Sequence, residues 1–183
     1  MSEHDTMTVP EWQQTPAEGY LTAAEIAQID RIMDRMLPED PARQIPGAVR
    51  VGVSNFISLL LAKSEVTTFR EIIDWRKLYR DSLAALEQWS RTTQSTALVA
   101  LDDTKIDGLI RGLEQGNLAG FAPAAPQQQT LFKTFLRHMQ QGCFGDPRWG
   151  GNKGKIMWRA LGYLQAPETS AQIQNDGLPS LPL

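Results

Sequence analysis

The sequence predicts an all-α fold: a single compact multi-helix domain over residues 21–165, with a glycine-rich loop near the C-terminus and irregular termini. Three observations carry this. Apolar residues recur at spacings of three and four through most of the chain, no strand-like alternation persists, and five glycines gather between residues 142 and 154. At 183 residues, 42% hydrophobic and 21% charged, the chain has the size of one domain and enough apolar side chain for a sizeable core. Residues 1–20, polar with Pro10 and Pro16, read as a flexible lead-in, and residues 166–183 as an extended, proline-spaced tail.

The first helix opens with a capping box. The Thr22 hydroxyl accepts from the Glu25 amide while the Glu25 carboxylate reaches back to the Thr22 amide. Ile26, Ile29, Met33 and Met36 follow on one face, and Leu37-Pro38 stops the helix. Pro46-Gly47 begins a second helix, running to about Lys63 with Val51, Phe56, Ile57, Leu60 and Leu61 on its apolar face. Thr67-Thr68 caps the longest helix, 69–91, which sets Phe69, Ile72, Ile73, Leu78 or Tyr79, Leu83, Leu86 and Trp89 against Arg70, Asp74, Arg76, Lys77, Arg80 and Asp81. Residues 97–101 suit either a helical end or a short extended piece. Asp103-Thr104 caps a fourth helix, 105–115, which ends at Gly116.

Pro123, Pro126 and the glutamines at 127–129 read as a hinge-like linker. Beyond it Leu131, Phe132, Phe135, Leu136 and Met139 mark an amphipathic helix, with Gly142 at the position of a left-handed C-terminal residue. In the loop that follows, Asp146-Pro147 sets a turn. A last helix runs from near Lys153 to Gly162.

Composition excludes several functions. A formal net charge of −3 and a pI near 5.4 argue against a nucleic-acid footprint. The longest apolar run, 51–62, is interrupted by Ser54, Asn55 and Ser58 and falls short of the ~20 residues of a membrane span. The single cysteine, Cys143, permits no intrachain disulfide, and no haem-attachment or zinc pattern is present. Charge is uneven: residues 1–45 carry nine acids against Arg31, Arg35 and Arg43, whereas 142–163 carry Arg148, Lys153, Lys155 and Arg159 against Asp146. The basic stretch reads either as a dock for an acidic partner or as ordinary solvated charge.

Self-contained chemistry is hard to assemble from these residues. In a phosphate-binding loop built on Gly154-Lys155, the first glycine position falls on Trp149 and the hydroxyl position on Ile156, so the pattern fails. No Gly-x-Gly-x-x-Gly follows a strand. His138 reads as a helix-surface histidine and Cys143 as a small buried or half-buried side chain, with no acid to orient the pair; His4 lies in the lead-in, and Asp102-Asp103 suits a turn and cap. Trp158 is expected in the core. Trp149 is open between core anchor and interface, and Asn152 is expected to fix the loop by bonding backbone.

The run from Phe144 through Asp146, Pro147, Arg148, Trp149, Gly150, Gly151 and Asn152, followed by Trp158 and Leu161-Gly162-Tyr163, resembles the C-terminal signature of the gluconate 2-dehydrogenase subunit 3 family. Leu21-Thr22, Met36-Leu37-Pro38 and Ile45-Pro46-Gly47-Ala48 resemble the family's opening helix, stop and restart. The resemblance implies a non-catalytic small subunit that stabilises a large FAD-containing dehydrogenase of the glucose-methanol-choline (GMC) class acting on a sugar or sugar acid, and that assists its export. Catalytic, cofactor and metal residues are then expected to be absent from this chain. FAD sits in the large subunit, and electrons leave to a cytochrome c subunit carrying haem c or to another acceptor. The candidate partner interface is Phe144, Asp146, Pro147, Arg148, Trp149, Gly150, Gly151, Asn152 and Lys153. The resemblance also implies the periplasmic side of a bacterial inner membrane. Family members commonly begin with a twin-arginine export signal, and here the first arginine is Arg31. A removed leader, export on the partner's signal and a cytoplasmic variant all remain open. The competing expectation is a free-standing helical module that holds a small anion or sugar at Arg148, Lys153 and Lys155.

Overall fold

A computed structural model describes residues 14–63 and 71–163. Among them are seven α-helices and no strand: α1 (Ala23–Met36), α2 (Ala48–Val51), α3 (Val53–Ala62), α4 (Ile72–Thr93), α5 (Asp103–Gln115), α6 (Ala125–Phe144) and α7 (Ile156–Ala160). Short 3₁₀ turns occupy Leu98–Ala100, Pro147–Trp149 and Lys153–Lys155. A single core gathers Ile29, Ile32 and Met33 of α1, Ile57 and Leu61 of α3, Leu83 and Leu86 of α4, Ile106 and Leu109 of α5, and Phe135 of α6. Each such side chain contributes about 1.5–3 kcal/mol on burial. α5 lies along α6, α1 packs on α3 and α5, and α3 sits against α6.

α1 begins as its sequence predicts. Thr22 N–H donates to Glu25 Oε2 at 2.8 Å, the Glu25 amide donates to Thr22 Oγ1 at 3.3 Å, and Leu37 ends the helix. Its outer face is tied to α5 by Arg35, whose Nε and Nη2 donate to the two carboxylate oxygens of Asp107 at 2.8 and 2.9 Å. Arg31 adds a bond to Asp103 at 2.7 Å.

The predicted second helix is two. Gly52, at φ +88°, takes the left-handed conformation and turns the chain between α2 and α3, a step the continuous apolar face does not reveal. The Lys153 side chain lies over this glycine; a Cβ there would come within 2.7 Å of Lys153 Cε. α3 ends where Arg76 of α4 donates to the Leu61 and Lys63 carbonyls, both at 2.7 Å, so α4 satisfies the last turn of its neighbour. α4 continues past the predicted end at 91 to Thr93; the expected cap at Thr67-Thr68 and the start at Phe69 lie outside the described residues. Residues 98–100 take the helical option as a 3₁₀ turn. Asp102, rather than Asp103, caps α5, accepting from the Lys105 amide at 2.9 Å, and Gly116 closes it at φ +73°.

The expected hinge at 123–129 is instead the start of α6. Pro126 sits in its first turn, where its missing N–H is harmless. Gln127 Oε1 accepts from the Ala124 amide at 2.8 Å, and buried Gln128 bridges the Leu118 amide at 3.0 Å and the Pro123 carbonyl at 2.7 Å. Nor does Gly142 end α6. The helix runs on to Phe144, and Gly142 lies inside it because a Cβ would press on Phe56 at 3.2 Å.

Of the expected lead-in, residues 14–20 lie against the domain. Tyr20 N–H donates to the Ser58 carbonyl at 3.0 Å, Thr15 Oγ1 to the Arg148 carbonyl at 2.6 Å, and Lys63 Nζ to the Gln14 carbonyl at 3.1 Å. Residues 1–13, with His4, and the tail at 166–183 lie outside the described residues.

Candidate functional site

The loop after α6 is a clamp built from backbone. Asp146 opens it: Oδ1 accepts from the Arg148 amide at 2.9 Å, and Oδ2 pairs with the Arg148 guanidinium at 3.0 Å. This fixes the Pro147–Trp149 turn. Gly150 follows at φ +93°, its carbonyl accepting from Asn55 Nδ2 of α3 at 2.8 Å. Gly151 meets the backbone of Gly142, where an added Cβ would stand 2.2 Å from the Gly142 carbonyl oxygen. Two glycines nine residues apart thus let loop and helix touch.

Asn152 locks this arrangement. It is fully buried at φ +43°; its Oδ1 accepts from the Met157 amide at 3.0 Å and its Nδ2 donates to the Gly145 carbonyl at 3.2 Å. The expected role of fixing the loop is the one it has. Gly151 is also buried, so neither residue presents a side chain outward. Phe144, Arg148 and Lys153 are exposed, while Asp146, Pro147, Trp149 and Gly150 are half-buried. Trp149 is approached by two cations, with Lys63 Nζ 4.1 Å and Arg148 Cζ 5.3 Å from its ring centroid. Trp158 does not enter the core as expected: it is half-buried, with its Nε1 donating to the Phe144 carbonyl at 2.8 Å and its ring 5.5 Å from that of Tyr163.

His138 is not a surface residue. It is fully buried, its Nδ1 3.0 Å from the Tyr79 hydroxyl, its ring parallel to Tyr79 and edge-on to Trp75 at 4.7 Å. Burial, assisted by Arg137, pushes its pKa down to about 4, and burial drives the Tyr79 hydroxyl up. Neutral imidazole is therefore the resident form near neutral pH. Cys143 is buried too and its thiol is pushed up to about 12, so it is held as the unreactive thiol. The clue to His138 was in the spacing: Leu131, Phe135, His138 and Gly142 form one stripe of α6, and all are buried. Nothing local, by contrast, marks the Gly142–Gly151 approach. Among the described residues no group of three or more His, Cys, Asp or Glu side chains is placed to hold a metal ion. None of the described helices is long and apolar enough to cross a membrane.

Fold and loop together define a class: a small all-α domain whose glycine loop is an internal clamp bordered by exposed aromatic side chains. The chain belongs to the gluconate 2-dehydrogenase subunit 3 family, whose model matches residues 23–164, from the first residue of α1 to one residue beyond Tyr163. That family is a subunit of a multi-subunit dehydrogenase, which implies partner chains. No curated protein and no solved structure matches the chain.

Proposed function

We propose that the chain is the small, non-catalytic subunit of an FAD-dependent dehydrogenase that oxidises a sugar or sugar acid, and that it binds and stabilises the large GMC-class flavoprotein. Flavin and substrate then belong to the large subunit, and electrons pass to a cytochrome c subunit with haem c or to another acceptor, on the periplasmic side of the membrane. The family match over residues 23–164 carries this reading. The placement of His138 and Cys143 agrees with it, because both side chains are fully buried, out of reach of a substrate. The anion-or-sugar module has less behind it: Arg148 is engaged by Asp146, and the Lys153 stem lies on Gly52.

Co-expression tests the proposal. The large subunit is produced with and without this chain, and soluble yield and bound FAD are measured. The expected result is flavin-loaded dehydrogenase with this chain bound, and poor yield in its absence. A flavoprotein that folds, takes up FAD and purifies without the chain overturns the assignment.

A further inference from the structure

The end of α7 holds aromatic side chains outward in a fixed geometry. Gly162 takes φ +72°; its amide donates to the Arg159 carbonyl and that of Tyr163 to the Trp158 carbonyl, both at 2.9 Å. These two bonds form the helix-closing motif in which a left-handed glycine folds the next residue back onto the last turn. That residue is Tyr163, and its ring rests against Trp158. Trp158 is anchored in turn on the carbonyl of Phe144, the last residue of α6, one of the groups a helix end leaves unpaired. Capping chemistry thus gathers an aromatic platform at the α6–α7 junction, with Phe144 47%, Leu161 60% and Tyr163 72% exposed.

We propose that Phe144, Trp158, Leu161 and Tyr163 form the docking surface for the flavin-containing large subunit, which presents to it an apolar patch rimmed by carboxylates. The proposal rests on the subunit reading above. Elsewhere the large exposed apolar side chains Val49, Ile73 and Val99 stand on separate elements, an ordinary surface feature, whereas here the Trp158 and Tyr163 rings are in contact and Trp158 is bonded to the backbone of Phe144. Because the Trp158 and Tyr163 rings already rest on each other, they lose little side-chain freedom on binding. Charge points to an acidic partner surface: residues 142–163 carry four cations against one acid in a chain of net charge −3, and Arg159, in the last turn of α7, is exposed. An apolar patch with a cation on the same helix matches an apolar patch bordered by carboxylates.

The test uses the tagged full chain co-expressed with the large subunit, reading flavin recovered per chain and the melting temperature of the chain alone. Leu161→Glu and Tyr163→Ser are each expected to lower flavin recovery at least ~10-fold with unchanged melting, while Val99→Glu recovers as much as wild type. Wild-type recovery by a normally folded Leu161→Glu chain overturns the proposal. So does loss of recovery in Arg148→Glu with none in Leu161→Glu, which places the contact on the basic loop. A chain that dimerises alone, and that Leu161→Glu makes monomeric with flavin recovery intact, assigns the patch to a second copy and also overturns it. A wild-type chain that recovers no flavin subunit at all overturns the subunit reading itself, and the platform with it.

Discussion

Asn152 joins two costs that other residues cannot meet at once. Its left-handed backbone excludes most side chains, and its amide pairs the Met157 N–H and the Gly145 carbonyl in a buried setting. Asn152→Ala is expected to lose about 2–4 kcal/mol in urea unfolding, from two stranded groups plus the φ penalty. Asn152→Gly, free of that penalty, should lose about 1 kcal/mol less. His138 gives a second prediction at this scale. Its folded pKa, about 4, lies below the 6.5 of an exposed histidine, so between these values the unfolded chain binds the extra proton and stability falls as pH falls. The loss is absent above pH 6.5, grows by up to about 1.4 kcal/mol per pH unit, and totals about 3 kcal/mol at pH 4. In His138→Gln, unfolding at stepped pH should show this slope removed. Asp107 does not blur the reading. Arg35 holds its carboxylate below the usual value, 3.8, so its contribution is lost only as pH drops through that lower range.

At the scale of elements, the glycines divide by what surrounds them. Gly151 faces the α6 backbone, which cannot give way as a side chain would. Gly151→Ala should therefore cost at least the upper end of the ~1–3 kcal/mol typical of overpacking. Gly108, exposed within α5 with nothing near its missing Cβ, is the opposite case. Gly108→Ala should stabilise by about 0.5–1 kcal/mol, seen as a rise in unfolding midpoint at constant m. The same division explains how much the sequence disclosed. The Thr22–Glu25 box and the Gly116 stop were legible because a cap is a contact among near neighbours. Asn152 was legible as a turn fixer for the same reason. The Gly52 break was hidden by an apolar face that continues across it, and the start of α6 by Pro126 and a glutamine run that look like a linker until Gln128 is seen bridging residues 118 and 123. The burial of His138 was legible in the α6 stripe, but its partner Tyr79 and the Phe56 ring that requires Gly142 lie on other helices, and no local pattern reports them.

For the whole molecule, the clamp and the platform make separable contributions to assembly. The clamp ties α3, α6 and α7 together through Asn55, Gly151 and Asn152, so damage to it acts on the population of folded chain. Damage to the platform acts on affinity with folding left intact. A partner that binds only the folded chain stabilises it by about 2.7 kcal/mol when present at a hundred times its Kd, comparable to the expected cost of Gly151→Ala. Co-expressed with excess large subunit, Gly151→Ala should therefore regain most of its flavin recovery as growth temperature is lowered. Leu161→Glu should stay deficient at every temperature, because the contact it breaks is the source of that stabilisation. Measuring flavin recovery for both variants at two temperatures checks this. Parallel recovery of the two would mean that the platform, like the clamp, serves the fold alone.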